Sequence, residues 1–234
     1  ICTFSPRLSS LGKVVARTEQ IVSVAGHRLK LTNLEKVLYP ETGTTKAEVI
    51  DYYSRIADVL IPHARNRPVT RKRWVEGVGT DAKPGTVFFE KNLPESAPSW
   101  ISRRDIPHTD HVTTYPLVND LATLVWMAQQ AALELHVPQW RFGKAGSRQN
   151  PDRMVLDLDQ GEGAGLAECV EVAQLVRTIL TGMGLDPMPV TSCSKGIHLY
   201  AALDGTLTSD EVSAIAHELA RSLEADHPDL VVSD

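Results

Sequence analysis

Cysteine is scarce in this chain of 234 residues: Cys2, Cys169 and Cys193 stand far apart and form no CxxC pair. That spacing argues against a disulfide framework and against a zinc site, and a reducing cytosol is the simplest compartment. Long apolar runs are missing as well, so no membrane-spanning helix is expected. Positive charge is not in surplus: 24 Lys and Arg face 29 Asp and Glu, a net charge of −5. That balance excludes a surface coated in cations but not contact with nucleic acid, which local clusters decide. A charged-then-apolar leader pattern is absent from residues 1–25, and the chain opens on Ile1, so it reads as a fragment with a non-native start. The remaining composition, 42% hydrophobic and 23% charged, is that of a globular protein with one large or two small domains.

The most informative segment present is Met154-Val-Leu-Asp-Leu-Asp-Gln160. Side chains alternate along a strand, so Asp157 and Asp159 emerge on one face and Leu158 turns to the other. Two adjacent carboxylates repel unless a cation lies between them, and oxygen ligands suit Mg²⁺ or Mn²⁺. Read alone, the pair serves equally well as two solvated acids at a strand end. The Gly161-Glu-Gly-Ala-Gly165 stretch ends the strand and opens space above it.

Residues 1–28 are weakly patterned and are expected to be peripheral, with one domain over 29–234. A helix is expected from Thr44 onward, with Val49, Ile50, Tyr53, Ile56, Val59 and Leu60 at helical spacing and Pro68 marking its end. Strands are expected over 69–74, 86–90, 111–118, 153–159, 189–192 and 196–203. Further helices are expected over 120–135, 167–185 and from Thr208 to about Ala225. The sum is an α+β (mixed α/β) domain whose mixed sheet carries the acids.

Three other groups carry chemistry. Ser192-Cys-Ser-Lys-Gly-Ile-His198 is a small-residue turn with one lysine, leading into a strand that presents His198. Its N–H groups and Lys195 suit an anion, although a plain turn with a surface lysine fits equally. It follows the acids by roughly thirty residues, a helix-crossover spacing that makes the two strands sheet neighbours. Thr70-Arg-Lys-Arg-Trp74 sends Arg71 and Arg73 to one face and Lys72 to the other. Such a run fits a solvated edge strand, or contact with a triphosphate or nucleic-acid backbone. In Phe88-Phe89 one ring can serve the core while the other faces elsewhere, as a stacking platform for a base; two core aromatics is the plainer reading.

Together these residues resemble the polymerase/primase domain of bacterial ligase D, the multidomain enzyme of non-homologous end joining, within the archaeo-eukaryotic primase superfamily. The resemblance covers roughly residues 29–234. It is carried by Leu31-Thr-Asn-Leu-Glu-Lys-Val-Leu-Tyr-Pro40, Thr44-Thr-Lys46, Pro68-Val-Thr-Arg-Lys-Arg-Trp74, Phe88-Phe-Glu-Lys91, Leu135-His-Val-Pro-Gln-Trp140, the Asp157/Asp159 strand and Ser194-Lys-Gly-Ile-His-Leu-Tyr200. It implies a primase-like fold, a central mixed sheet flanked by helices. It also implies that Asp157 and Asp159 hold two divalent cations, Mn²⁺ or Mg²⁺. His136, Ser192, Lys195 and His198, with Lys72 nearby, would contact a nucleoside triphosphate. Asn33, Lys36 and Lys46 would hold the 5′-phosphate at a DNA gap or end, and Phe88 and Phe89 would stack on bases. The implied activity is primer extension with ribonucleotides preferred, in the bacterial cytoplasm at the nucleoid. The implied partners are DNA ends and gapped DNA, Ku, and ligase and phosphoesterase modules.

The sequence departs from the family pattern in places. By the resemblance, the family's third aspartate and the arginines after it would fall beyond residue 234, and Asp234 sits too early to replace that aspartate. The chain therefore reads as a domain lacking its C-terminal part, and a non-catalytic DNA-end-binding fragment is the alternative function. Cys193 stands at a common glycine and Gln160 at a frequent proline. A D-x-D phosphatase would want Thr or Val where Gln160 sits, and no partner motif for that chemistry follows.

Overall fold

The computed structural model describes residues 19–192 and 196–233. Cys2, Cys193, Ser194, Lys195 and Asp234 lie outside the described residues. In chain order the elements are β1 Glu19–Val24, β2 His27–Thr32, β3 Val37–Tyr39, β4 Thr44–Thr45, α1 Lys46–Ala64, β5 Thr70–Arg73, β6 Gly79–Thr80, β7 Lys83–Pro84, β8 Phe88–Glu90, β9 Arg103–Pro107, β10 Val112–Pro116, α2 Leu121–Gln129, β11 Ala132–His136, β12 Arg153–Asp159, α3 Leu166–Gly182, β13 Met188–Thr191, β14 Gly196–Ala202 and α4 Ser209–Asp226. The fold is mixed helix and strand. Among the described residues no helix is long and apolar enough to cross a membrane.

The chain divides into two compact units, one from residues up to 59 with 71–89 and 120–134, the other from 60–70, 90–119 and 135–234. In the first, β1 and β2 form an antiparallel hairpin, and β11, β5 and β8 form a three-stranded sheet in that order. Helix α2 is buried at every position from Ala122 to Gln129, as its nearly continuous apolar sequence requires. Asp120 caps it by accepting from the Thr123 N–H at 2.8 Å. The helix stops at Gln129, short of the residue 135 that the sequence pattern predicts, because Ala131 takes a positive φ of 55° and turns the chain into β11. The Tyr53 hydroxyl, on α1, donates to the Ala132 carbonyl at 2.8 Å.

In the second unit β12, β14 and β13 form an antiparallel sheet in that order. The strand expected over 189–192 is β13, and the acid strand and the His198 strand are neighbours, as the crossover spacing suggested. One face of this sheet carries Met154, Ile197, Leu199 and Ala201 into a core with Cys169, Val172, Ala173, Val176 and Leu180 of α3 and Val212, Leu219 and Leu223 of α4. Burying a residue of this kind contributes about 1.5–3 kcal/mol, and the cluster fixes which face of β12 is left open. At the start of that strand, Arg67 lies buried with its Nη2 2.6 Å from both Asp152 oxygens. Its Nη1 donates to the Pro138 carbonyl at 3.2 Å and its Nε to the His63 carbonyl at 3.1 Å. One side chain thus ties the segment after His136 to the beginning of β12.

Candidate functional site

The β12–β14 register sets Asp157 opposite His198, Leu158 opposite Ile197 and Asp159 opposite Gly196. Since Leu156 and Leu158 pack against the core, strand alternation turns Asp157 and Asp159 to the open face. Both acids are exposed. His198 Nε2 lies 3.1 Å from Asp157 Oδ1, and the His198 and Tyr200 rings stand 6.1 Å apart on the same strand. From the third strand Val190 faces His198 and Met188 faces Tyr200.

Gly196 is required where it stands. A Cβ there would lie 1.8 Å from the Leu158 carbonyl oxygen. Ser192 bonds to Gly196 twice: the Ser192 N–H donates to the Gly196 carbonyl at 2.9 Å, and its Oγ accepts the Gly196 N–H at 2.9 Å. Ser192 is thus bonded directly to Gly196, the first residue of β14; Lys195 lies outside the described residues. His136 is exposed at the end of β11.

Asp157 and Asp159 are hard oxygen donors on one face, and that chemistry fits Mg²⁺ or Mn²⁺. Among the described residues no group of three or more His, Cys, Asp and Glu side chains is clustered to hold a metal. The donor set fits the kind of ion and supplies only part of its coordination.

The first unit gathers the second group. Asn33 adopts a positive φ of 54° directly after β2, and its carbonyl accepts the Lys36 N–H at 3.0 Å. The Lys36 carbonyl accepts the Lys46 N–H at 2.8 Å. Lys46, first residue of α1, is buried and its Nζ donates to the Thr32 carbonyl at 2.9 Å. Lys36 Nζ pairs with Glu76 at 2.6 Å. Burial above all, then the Lys36 and Arg73 charges, pull the Lys46 ammonium from 10.5 down to about 8. The side-chain amide of Gln129 accepts the Thr32 N–H at 3.1 Å and donates to Thr32 Oγ1 at 2.8 Å. Asn33, Lys36 and Lys46 thus meet around one turn whose backbone is tied from both sides.

The cationic run departs from a solvated edge strand. Strand β5 is the middle strand of its sheet. Arg71 is fully buried, its guanidinium 5.5 Å from the centre of the Trp126 ring. Arg73 Nε donates to the Gln130 carbonyl at 2.7 Å. Lys72, on the opposite face, pairs with Glu134 at 2.9 Å and stands 4.9 Å over Trp74 and 5.7 Å over Phe89. Phe88 and Phe89 are 46% and 62% exposed, so neither ring serves the core, against the expectation that at least one would. Glu76, Glu134 and Gln129 went unforeseen, because their partners lie 40, 62 and 97 residues away in sequence and no local pattern links them.

Comparison with known proteins places the chain in a family. The family model for the LigD primase-polymerase domain matches residues 45–234. The multifunctional non-homologous end joining protein LigD of Mycolicibacterium smegmatis is 50% identical over 206 residues, covering 88% of this chain and 26% of that protein. The bifunctional non-homologous end joining protein LigD of Bacillus subtilis is 32% identical over 176 residues, covering 75% of this chain and 27% of that protein. The chain thus spans 26% to 27% of the length of these two curated relatives. Among solved structures, the polymerase domain of Mycobacterium tuberculosis ligase D in complex with DNA is 48% identical with a TM-score of 0.80, covering 86% of this chain and 70% of that one. The chain belongs to the LigD primase-polymerase domain family.

Proposed function

We propose that this chain is a metal-dependent nucleotidyltransferase that adds nucleotides, ribonucleotides by preference, to a primer at DNA gaps and breaks. The observation that carries the reading is the pair Asp157 and Asp159, side by side on the open face of β12 with His198 across the ladder from Asp157. Divalent cations bound there would offset charge on the attacking 3′-oxygen and on the departing pyrophosphate. The rest is positioning and neutralisation by side chains. His136, Ser192, Lys195 and His198 would contact the triphosphate, and Lys72 would add a further cation. Asn33, Lys36 and Lys46 would seat the 5′-phosphate of the downstream strand, gripping a DNA end without reading its sequence. Exposed Phe88 and Phe89, with Lys72 above Phe89, would stack on bases. Ku and the ligase and phosphoesterase modules complete the proposed setting.

The test is primer extension on a gapped duplex carrying a 5′-phosphate, with Mn²⁺ and ribonucleotides, beside Asp157→Ala. Extension in the parent and none in the variant is the expected result; extension retained in Asp157→Ala would sink the assignment of the acids.

One observation favours a second reading, a DNA-end-binding module without catalysis: among the described residues no group of three or more His, Cys, Asp and Glu side chains is clustered to hold a metal. That reading predicts DNA binding that depends on the 5′-phosphate and is indifferent to Mn²⁺ and nucleotide.

A further inference from the structure

The segment Arg141-Phe-Gly-Lys-Ala-Gly-Ser-Arg-Gln-Asn150 carries three cations and no acid in a chain whose net charge is −5. It folds as a tight hairpin. Phe142 and Arg148 form a bridge, the Gly143 N–H donates to the Ser147 carbonyl at 2.9 Å, and the Gly146 N–H donates to the Gly143 carbonyl at 2.9 Å. Lys144 therefore sits at the tip and is exposed. Gly146 has a positive φ of 80°, and the Arg104 guanidinium lies 3.6–3.9 Å from where its Cβ would be. Arg104 thus adds a fourth cation against the hairpin.

Arg148 and Arg141 are held rather than loose. The Arg148 guanidinium lies 4.6 Å from the centre of the Trp140 ring and donates to Ser209 Oγ at 2.9 Å, while Trp140 meets Phe142 edge-on at 5.1 Å. Arg141 stands 3.3 Å from Asp152, the carboxylate already taken by Arg67 and approached by Arg153 at 3.9 Å. Three guanidiniums around one carboxylate leave an excess of positive charge at the base of the hairpin. Burial, and the Arg67 charge beside it, lower the Arg153 pKa.

We propose that this hairpin, with Arg104, is a nucleic-acid contact surface that takes the phosphodiester backbone of a strand without reading its bases. A run of fixed guanidinium edges and a terminal ammonium suits successive phosphates, since planar guanidiniums match phosphate geometry and lose little entropy when already stacked. The choice of a nucleic acid as the polyanion rests on the reading under Proposed function; the surface itself does not depend on catalysis.

The test is the salt dependence of DNA binding by the full chain, measured with a gapped duplex with and without the 5′-phosphate. Each phosphate contact contributes roughly 0.7–0.9 to the slope of log affinity against log salt. The variant Arg104→Ala/Lys144→Ala/Arg148→Ala is expected to flatten the slope by about 2 and to weaken binding at low salt by about tenfold or more. The 5′-phosphate preference should stay intact. Because Arg148 also packs on Trp140, the pair Arg104→Ala/Lys144→Ala serves as a second variant, expected to keep the parent melting temperature and to flatten the slope by about 1.5. An unchanged slope in both variants overturns the proposal, as does a parent chain that binds no DNA at low salt. Loss of primer extension with a normal slope would strike the catalytic reading alone.

Discussion

His198 Nε2 faces Asp157 Oδ1 at 3.1 Å directly across the β12–β14 ladder, so the imidazole and the carboxylate act on one another before any ligand is present. Their effects on nucleotide addition should therefore overlap. Asp157→Ala is expected to lower single-turnover primer extension by about 10³-fold or more and His198→Ala by about 10²-fold. The double variant should be no worse than Asp157→Ala alone. A double variant at the product of the two losses would show that they work independently.

Lys46 gives a pH dependence whose sign follows from its environment. Its ammonium is pulled down to about 8 by burial first and then by Lys36 and Arg73, so it is charged below that pH and neutral above. Preference for a 5′-phosphorylated end over a hydroxyl end should fall as pH rises through about 8, and Lys46→Met should show a flat profile. The folded pKa is depressed below the ordinary 10.5, so the unfolded chain binds more protons between the two values. Stability contributed through this group therefore rises with pH across that window. Chemical denaturation at pH 7 and pH 9, parent beside variant, measures it; a variant with the parent's phosphate profile would remove Lys46 from the pocket.

At Gly196 the constraint is steric. Alanine would bring Cβ to 1.8 Å from the Leu158 carbonyl, forcing β14 away from β12. Gly196→Ala is expected to cost about 3 kcal/mol or more by urea denaturation. Gly161, also near the acids, has nothing within 4 Å of its Cβ position, and Gly161→Ala should change stability by less than about 0.5 kcal/mol. Equal costs would refute the account.

Because Phe88 and Phe89 are both exposed, removing them should harm binding more than folding. Phe89→Ala is expected to weaken DNA binding by about 1–3 kcal/mol and to shift stability by about 0.5 kcal/mol or less. Fluorescence anisotropy and thermal melts on the same preparation separate the two; a large drop in melting temperature with unchanged affinity would return the rings to a structural role.

The legible parts of this fold were those governed by local rules. Alternation alone put Asp157 and Asp159 on one face of β12, and the Thr208/Glu211 capping box, with its 2.7 Å and 3.3 Å bonds, marked the start of α4. Two elements were hidden by alanine in the left-handed region. The hairpin β1–β2 turns on Ala25 and Gly26, with φ of 47° and 82°, without the Asn-Gly signature of such turns. Helix α2 ends on Ala131, where glycine would have announced the stop. Burial of Arg71 and Lys46 was illegible for a different reason: both residue types normally face water. What covers them here, Trp126 and the Thr32 carbonyl, comes from distant sequence.

Thr32 accepts from Lys46, donates its N–H to Gln129 and takes the Gln129 amide on its hydroxyl. All three of its polar groups are committed in the folded chain. The removal of the Lys46 ammonium from water is therefore completed during folding, and its direction is set at the same time. If Lys46 takes the proposed 5′-phosphate role, a phosphate would meet an ammonium already largely withdrawn from water and turned to the Thr32 carbonyl. The desolvation left to such a capture would then fall mainly on the phosphate, and affinity for the 5′ end would reside more in a slow departure than in a fast arrival.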